Sequence, residues 1–536
     1  MLAVLTVAHI VLAWRRLRGY LRYFQQEGYD ARRFARWLQG RSFTDPAFWL
    51  ALTAAVLWWD LPQTALWGCA AGALLLAWRQ PDPTRTGKIR LALTWRARRI
   101  LAVAMVLAVA AWFGALAAMA SAGEQAPLVA AAVVWPFLPL VLVVGNLALA
   151  PYEHHVQASY QREAEAHLAS VAPTVIGITG SYGKSSSKAM LAHMLQFQSP
   201  TLAASGSINT PMGITRHIRE DLVAGHANLV VEMGAFGIGS IARLCALTPP
   251  ACALITAVGD MHLERFGSLD NVVRAKSELA EALPDGALLV VNADSPGARR
   301  IAEAHAGRLD VRLYGERADG PLTTRVTDVR WTPAGSTCVL LHQGVAYPCE
   351  TPLFGRPMLQ NLAGAFTLAV ALGMDPLVAL AACRTLRPVR NRLEVVTDAG
   401  VTWIRDAYNS NQFGFRAALE VAAGLPGRRR VLVTPGVIEL GEMQASVNQA
   451  LAREAAATCD VMLVVAETNR HAFVEGCAEA GASERLRAVA TRTEAFAWLR
   501  AHLAEGDIVL LENDLPDRYE SSTGLFWPDR AREGRA

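Results

Sequence analysis

Apolar residues crowd into five segments of the first 150 positions, at roughly 1–14, 47–59, 62–78, 100–121 and 127–150. No other feature constrains folding as strongly, because such segments must be buried in protein or in lipid. The last two reach the roughly 20 residues that a membrane-crossing helix needs; the first three are shorter. Residues 1–14 do not read as a signal peptide, since the arginines follow the apolar run instead of preceding it. Charge orders the segments better than length does. Eight arginines (positions 15, 16, 18, 22, 32, 33, 36 and 41) separate the first segment from the second. Arg79, Arg85, Lys88, Arg90, Arg96, Arg98 and Arg99 separate the third from the fourth, whereas the connections WDLPQT and SAGEQAP hold no Lys or Arg. Cytoplasmic loops collect Lys and Arg. The expectation is therefore five spans in the cytoplasmic (inner) membrane, a multi-pass arrangement with the N-terminus outside and everything from residue 151 in the cytoplasm. The arginines read first as topology signals and second as contacts to anionic headgroups or an acidic lipid-linked substrate. Apart from Asp60, at an edge, the spans carry no charge that would mark a translocation path.

With 536 residues the chain has room for about three domains. The excess in its 52% apolar content sits in the first 150 residues. A net charge of +4, with no basic run interleaved with aromatics, argues against nucleic acid as a partner. The eight cysteines are scattered without a CxxC pair, which argues against a disulfide framework or zinc site and suits a reducing compartment. Residues 151–168, PYEHHVQASYQREAEAHL, read as a polar linker helix. Its adjacent His154 and His155 point to different sides and make a poor metal pair.

From residue 174 short β-rich runs alternate with helical stretches. VIGIT (175–179), NLVVEM (228–233), CALITAV (252–258), ALLVVN (287–292), RRVLVTP (429–435), DVMLVVA (460–466) and DIVLLEN (507–513) are the strands. Continuous apolar strands between helices indicate parallel sheets covered on both faces, an α/β architecture. Residues 308–355 break the rhythm and read as a small antiparallel flap. Ligands in such sheets lie beyond the strands' C-terminal ends.

At one such end stands TGSYGKSSSKAM (179–190). Gly180, Ser181, Gly183 and Ser186 belong to a turn whose backbone N–H groups can face phosphate, Lys184 supplies a positive charge, and Ser185 can ligate Mg²⁺. The spacing is not the full Walker form, because position 178 is Ile. Glu232 ends one neighbouring strand, and His262 follows the next within GDMHLERFGS. With Lys184 and Ser185 they make a plausible two-metal nucleotide site. By pattern alone, Lys276 is a solvated helix lysine.

The order and spacing of TGSYGKSSSKAM, NTPMG (209–213), VVEMGA (230–235), HLERFGSLDNVVRAKSEL (262–279), NADSP (292–296), QNLAGAFTLAVALG (360–373), NRLEVV (391–396) and DAYNSN (406–411) resemble the Mur ligases over about 174–536. The pattern is most similar to the branch that adds D-alanyl-D-alanine to the muramyl tripeptide. The resemblance implies that ATP phosphorylates a substrate carboxylate and that an amine attacks the acyl phosphate, giving an amide, ADP and phosphate. It implies Lys184 on the β/γ-phosphates, Ser185, Glu232 and His262 at Mg²⁺ (two ions), and Lys276 as a carbamylated lysine supporting the second ion. Asn361 would contact adenine. Arg392 and Asp406 would close onto the nucleotide from a mobile C-terminal domain. Asn409 and Asn411 lie in the same motif, and for them a turn-forming role is equally open.

The resemblance implies a P-loop-containing central domain at 174–388 and a Rossmann-like C-terminal domain at 389–536. Before them lie an all-α transmembrane domain at 1–150 and the linker helix at 151–173. Three features depart from the family pattern. Membrane segments stand where the family has a domain gripping the UDP-sugar. The Lys-Gly-Ser-Arg type loop after the last strand, which helps select the amine, reads ENDLPDRYE (512–520). TPGVIELGEMQ (434–444) has Thr-Pro where the most similar branch carries an aspartate-containing glycine loop. The resulting expectation is a membrane-anchored ligase of cell-envelope or peptidoglycan precursors. Its partners would be a carboxylate acceptor, an amine donor, the bilayer and other membrane envelope-synthesis proteins. A poly-γ-glutamate-type synthase is the first alternative, and an ATP-regulated membrane scaffold or transport protein the second.

Overall fold

The structure is a computed structural model. It describes residues 2–39, 49–50, 53, 64–85, 90–120, 123, 126–259, 266–407, 410–438 and 440–514. Segment 47–59 (nearly all of it), Asp60, Lys88, His262, Asn409 and the end of ENDLPDRYE fall outside them. Two bodies divide the described chain, one from residues up to 157 and one from Ala158–Asp514.

The first body is helical: α1 (Leu2–Gln26), α2 (Ala31–Gln39), α3 (Thr64–Arg79), α4 (Trp95–Ala118), α5 (Ala126–Val134) and the start of α6 (Leu138–Val171). By length and composition, the runs Trp95–Ala118 and Ala126–Val171 are long and apolar enough to cross a bilayer. Helix α3 is shorter, at 16 residues. One expectation is revised: residues 151–168 do not form a separate linker helix, because α6 continues through Pro151, so the change from apolar to polar residues is not a helix end. The first body also holds a buried polar side chain that hydropathy had hidden. His9 accepts from Trp135 Nε1 at 3.0 Å, approaches the Ala108 carbonyl at 3.2 Å and stacks on Trp112. The Trp135 donor makes Nδ1 the acceptor, so Nε2 carries the proton and the neutral ring is satisfied on both sides.

The second body carries two sheets. The first contains β1 (Thr174–Thr179), β2 (Thr201–Ala203), β3 (Asn228–Glu232), β4 (Cys252–Ile255), β5 (Leu288–Asn292), β6 (Asp310–Gly315), β7 (Thr324–Thr332), β8 (Gly335–His342) and β9 (Val345–Thr351). Their order is β2-β3-β1-β4-β5-β6-β7-β8-β9. Strands β1 to β7 pair in parallel and β7 to β9 antiparallel, so the expected flap is a continuation of the main sheet. Helices cover both faces. On one side pack α8 (Pro211–Asp221), α9 (Ser240–Leu247), α10 (Leu269–Glu281) and α11 (Pro296–His305). On the other lie α7 (Lys184–Leu195), α12 (Arg356–Ala371) and α13 (Pro376–Arg384). Strand β1 shows why both faces read as apolar: Val175 points into the first core, Ile176 and Ile178 into the second.

The second sheet has the order β10-β11-β15-β12-β13-β14. It comprises β10 (Glu394–Asp398), β11 (Val401–Asp406), β12 (Arg430–Thr434), β13 (Val461–Val465), β14 (Leu486–Val489) and β15 (Ile508–Glu512). Helices α14 (Gln412–Gly424), α15 (Gln444–Thr458), α16 (Arg470–Glu479) and α17 (Arg492–His502) flank it. Only β10 runs antiparallel to its neighbour.

Candidate functional site

In the nine-stranded sheet, β1 lies between β3 and β4, the strands reached by opposite excursions of the chain. A crevice beyond the C-terminal ends of such strands is where open α/β sheets bind ligands. The loop after β1 is built for close approach. Gly180 adopts φ +151°, and a Cβ there would lie 1.9 Å from Thr256 Oγ1. Gly183 adopts φ +82°, and its Cβ would lie 2.4 Å from the Asn361 amide oxygen. The Ser181 and Tyr182 N–H groups donate to the Ala257 carbonyl at 2.7 and 3.2 Å, tying the loop to the end of β4. Helix α7 begins after Gly183 with no side-chain cap. Its first N–H groups and dipole therefore face an anion unopposed.

Lys184 curls over this loop, donating to the carbonyls of Gly180 at 2.8 Å and Ser181 at 3.1 Å. Burial lowers its pKa to about 8, with Glu232 opposing and Arg392 adding to the fall. Ser185 Oγ donates to Glu232 Oε2 at 2.8 Å, and Asn209 Nδ2 donates to Glu232 Oε1 at 3.2 Å. Arg392 reaches Ser185 Oγ at 3.3 Å and Ser207 Oγ at 3.4 Å. The hydroxyl of Ser185 and the carboxylate of Glu232 are hard oxygen donors within bonding distance of one point, which fits Mg²⁺. Ser186 is buried beside them.

Lys276 is 4% exposed, not solvated. Its pKa lies well below the usual lysine value, through burial first and the Lys184 charge second, with Glu232 and Glu278 opposing. Glu278 is already engaged, accepting from the Ile241 and Ala242 N–H groups at the start of α9. The sequence did carry a signal: Val272, Lys276, Leu279 and Leu283 follow helical spacing on one apolar stripe. Lys276, Lys184, Asn209, Gly180 and Ser181 line one cleft of about 80 Å³. Asp406, from β11, accepts the Leu393 N–H at 3.1 Å. Asn411 caps α14, accepting from the Phe413 and Gly414 N–H groups at 3.0 Å, which gives it the turn-forming role.

The sequence reading assigned nothing to Lys188. Its ammonium donates to the Gly206 carbonyl at 2.5 Å and sits 3.5 Å from Glu232 Oε2, with the side chain 3% exposed. Its position three residues past Ser185 places it on the same helix face, a signal available in the quoted motif.

Residues 178–369 match the profile of the Mur ligase middle domain, and 391–512 that of the Mur ligase, glutamate ligase domain. The UDP-N-acetylmuramoyl-tripeptide–D-alanyl-D-alanine ligase of Mycobacterium tuberculosis is 32% identical over 368 residues, 63% of this chain and 70% of that protein. This chain belongs to the Mur ligase family. The corresponding Escherichia coli enzyme is 31% identical over 268 residues, 50% of this chain and 58% of its own. Among solved structures, MurF from Acinetobacter baumannii is 26% identical with a TM-score of 0.60, covering 69% of this chain and 79% of that one. The fold is shared also with the MurF ligase of Thermotoga maritima in complex with ADP, with a TM-score of 0.60 and 24% identity over 67% of this chain and 80% of that one. Mur ligases are ATP-dependent amide-forming enzymes, and this chain is one by descent. The helices before residue 174 lie outside both profile matches.

Proposed function

We propose that this Mur ligase activates a carboxylate with ATP and joins it to an amine in cell-wall precursor synthesis, while anchored in the cytoplasmic membrane by its first body. The observation that carries the reading is the convergence of Lys184, Ser185, Glu232 and Lys276 on one strand-end crevice. In this reading Lys184 and the N–H groups after Gly180 hold the β- and γ-phosphates, and Gly183 gives Asn361 room beside the nucleotide. Ser185, Glu232 and His262 are the Mg²⁺ ligands, and Mg²⁺ supplies neutralisation of the phosphate charge. Arg392 and Asp406 close the site from the C-terminal domain.

Lys276 is the proposed carbamate. Burial disfavours its ammonium form, and the neutral amine adds to CO₂, forming an N–C bond and releasing one proton. The product is an anion where an ammonium would oppose bound metal. The acceptor is the terminal peptide carboxylate of a muramyl precursor, soluble or lipid-linked, because muramyl-tripeptide ligases are among the relatives that this chain matches at about 30% identity. The catalytic domains then lie in the cytoplasm, with the bilayer and other envelope-synthesis proteins as neighbours. The test uses the full chain in detergent with ATP, Mg²⁺, muramyl-tripeptide acceptors and D-alanyl-D-alanine. Mass spectrometry should find an amide product in step with ADP; ATP hydrolysis that no acceptor and amine stimulate would refute the ligase reading.

A further inference from the structure

Glu512 opens the ENDLPDRYE segment, to which no role has been assigned so far. It closes β15, and the parallel register sets it beside Asp406, which closes β11. Both therefore stand at the C-terminal edge of the second sheet, the edge at which such sheets receive ligands. Among the described residues few groups face them. The Ser410 hydroxyl donates to Glu512 Oε1, the Leu393 N–H donates to Asp406, and Arg392 is the cation acting on Asp406. Glu512 is 0% exposed, and among the described residues its buried Oε2 has no hydrogen-bond partner.

A buried carboxylate oxygen with nothing to accept from is an unmade interaction. Burial pushes both carboxyls upward, Asp406 to about 7, and the Asp406 charge adds to the rise at Glu512. Either a proton or a cation must balance the pair. Among the described residues no third His, Cys, Asp or Glu completes a metal-binding group there, and Mg²⁺ or Ca²⁺ asks for about six oxygens. An ammonium group, with three donors, is satisfied by two or three acceptors.

We propose that Glu512, at the strand edge it shares with Asp406, forms a cation subsite for the amine substrate, its Oε2 accepting from an ammonium group of that molecule. This rests on the ligase reading and narrows it. Two carboxylates repel the free carboxylate of a dipeptide and attract a second positive charge, so the subsite favours a diamine or basic amine over D-alanyl-D-alanine.

The test uses the full chain in detergent and putrescine as the probe. Putrescine should raise the melting temperature of the wild type and not that of Glu512→Gln, which keeps the shape of the protonated acid but not the charge. In turnover, the wild-type KM should be about tenfold lower for putrescine than for D-alanyl-D-alanine, and Glu512→Gln should remove that preference with the KM for ATP unchanged. Glu512→Lys should reverse it. Absence of a putrescine shift in the wild type, or equal amine preference in wild type and Glu512→Gln, would overturn the subsite and leave a proton-sharing structural pair. The wild-type measurements stand even if a variant fails to fold. A putrescine shift without amide formation from any amine would keep the subsite and overturn the ligase reading instead.

Discussion

Two lysines of the crevice owe their behaviour to burial, and each makes a sharp prediction. Lys276→Ala removes the proposed carbamate, and activity should fall by at least about 100-fold, the scale of one preorganised electrostatic contact. Acetate or propionate, small enough to enter the vacated space, should restore part of the rate. An alanine variant with normal turnover would show Lys276 to be structural. Lys188 acts differently: it pairs with Glu232 and holds the Gly206 carbonyl. Lys188→Met leaves the buried Glu232 without its cation, and breaking a buried pair costs roughly 3 kcal/mol. Thermal denaturation should register that loss, with Lys188→Arg recovering part of it; an unchanged melting temperature in the methionine variant would rule out the pairing as a stabilising contact.

At the scale of elements, strand ends decide both the chemistry and the pH response. Asp406 keeps its proton up to about pH 7 in the folded chain, against 3.8 ordinarily. Between those values the folded state binds more protons than the unfolded one, so stability falls as pH rises through that window. Melting temperatures measured from pH 5 to pH 7.5 should decline, and Asp406→Asn should flatten the decline. A wild-type curve already flat would contradict the raised value. The elements also show what the sequence can express. Seven strands were legible because burial on both faces leaves continuous apolar runs, as in β1 and β4. Strands β2, β10, β11 and β14 were not: β2 has three residues, and β10, β11 and β14 are only partly buried and mix charge with apolar side chains. The phosphate loop was legible because glycine, lysine and serine have fixed spacing. The burial of Lys276 and the pairing of Lys188 showed only as helical spacing, because one depends on α9 and α10 packing together and the other on Gly206, 18 residues away in the chain, and Glu232, 44 away. Glu512 was visible only as a departure; its isolation comes from the neighbour that parallel register supplies.

At the scale of the whole chain, the question is how an apolar helical body comes to precede a ligase. Two helical runs are long and apolar enough to span a bilayer. Helix α1 is apolar through its first half and carries Arg15, Arg16, Arg18 and Arg22 in its second, and α3 ends at Arg79. Charge of this kind costs little at a cytoplasmic surface and far more on the other side of the membrane. The basic connections alternate with the uncharged ones in the order that an odd number of crossings requires. In the proposed five-crossing arrangement, residue 151 reaches the side where ATP is available to the phosphate loop after β1. Reporter fusions placed after residues 125 and 160 bracket the last crossing. They should report opposite sides of the membrane, with the fusion after 160 in the cytoplasm. If both report the same side, the last apolar run does not cross, and the helical body would have to be a packed or peripheral domain despite its composition.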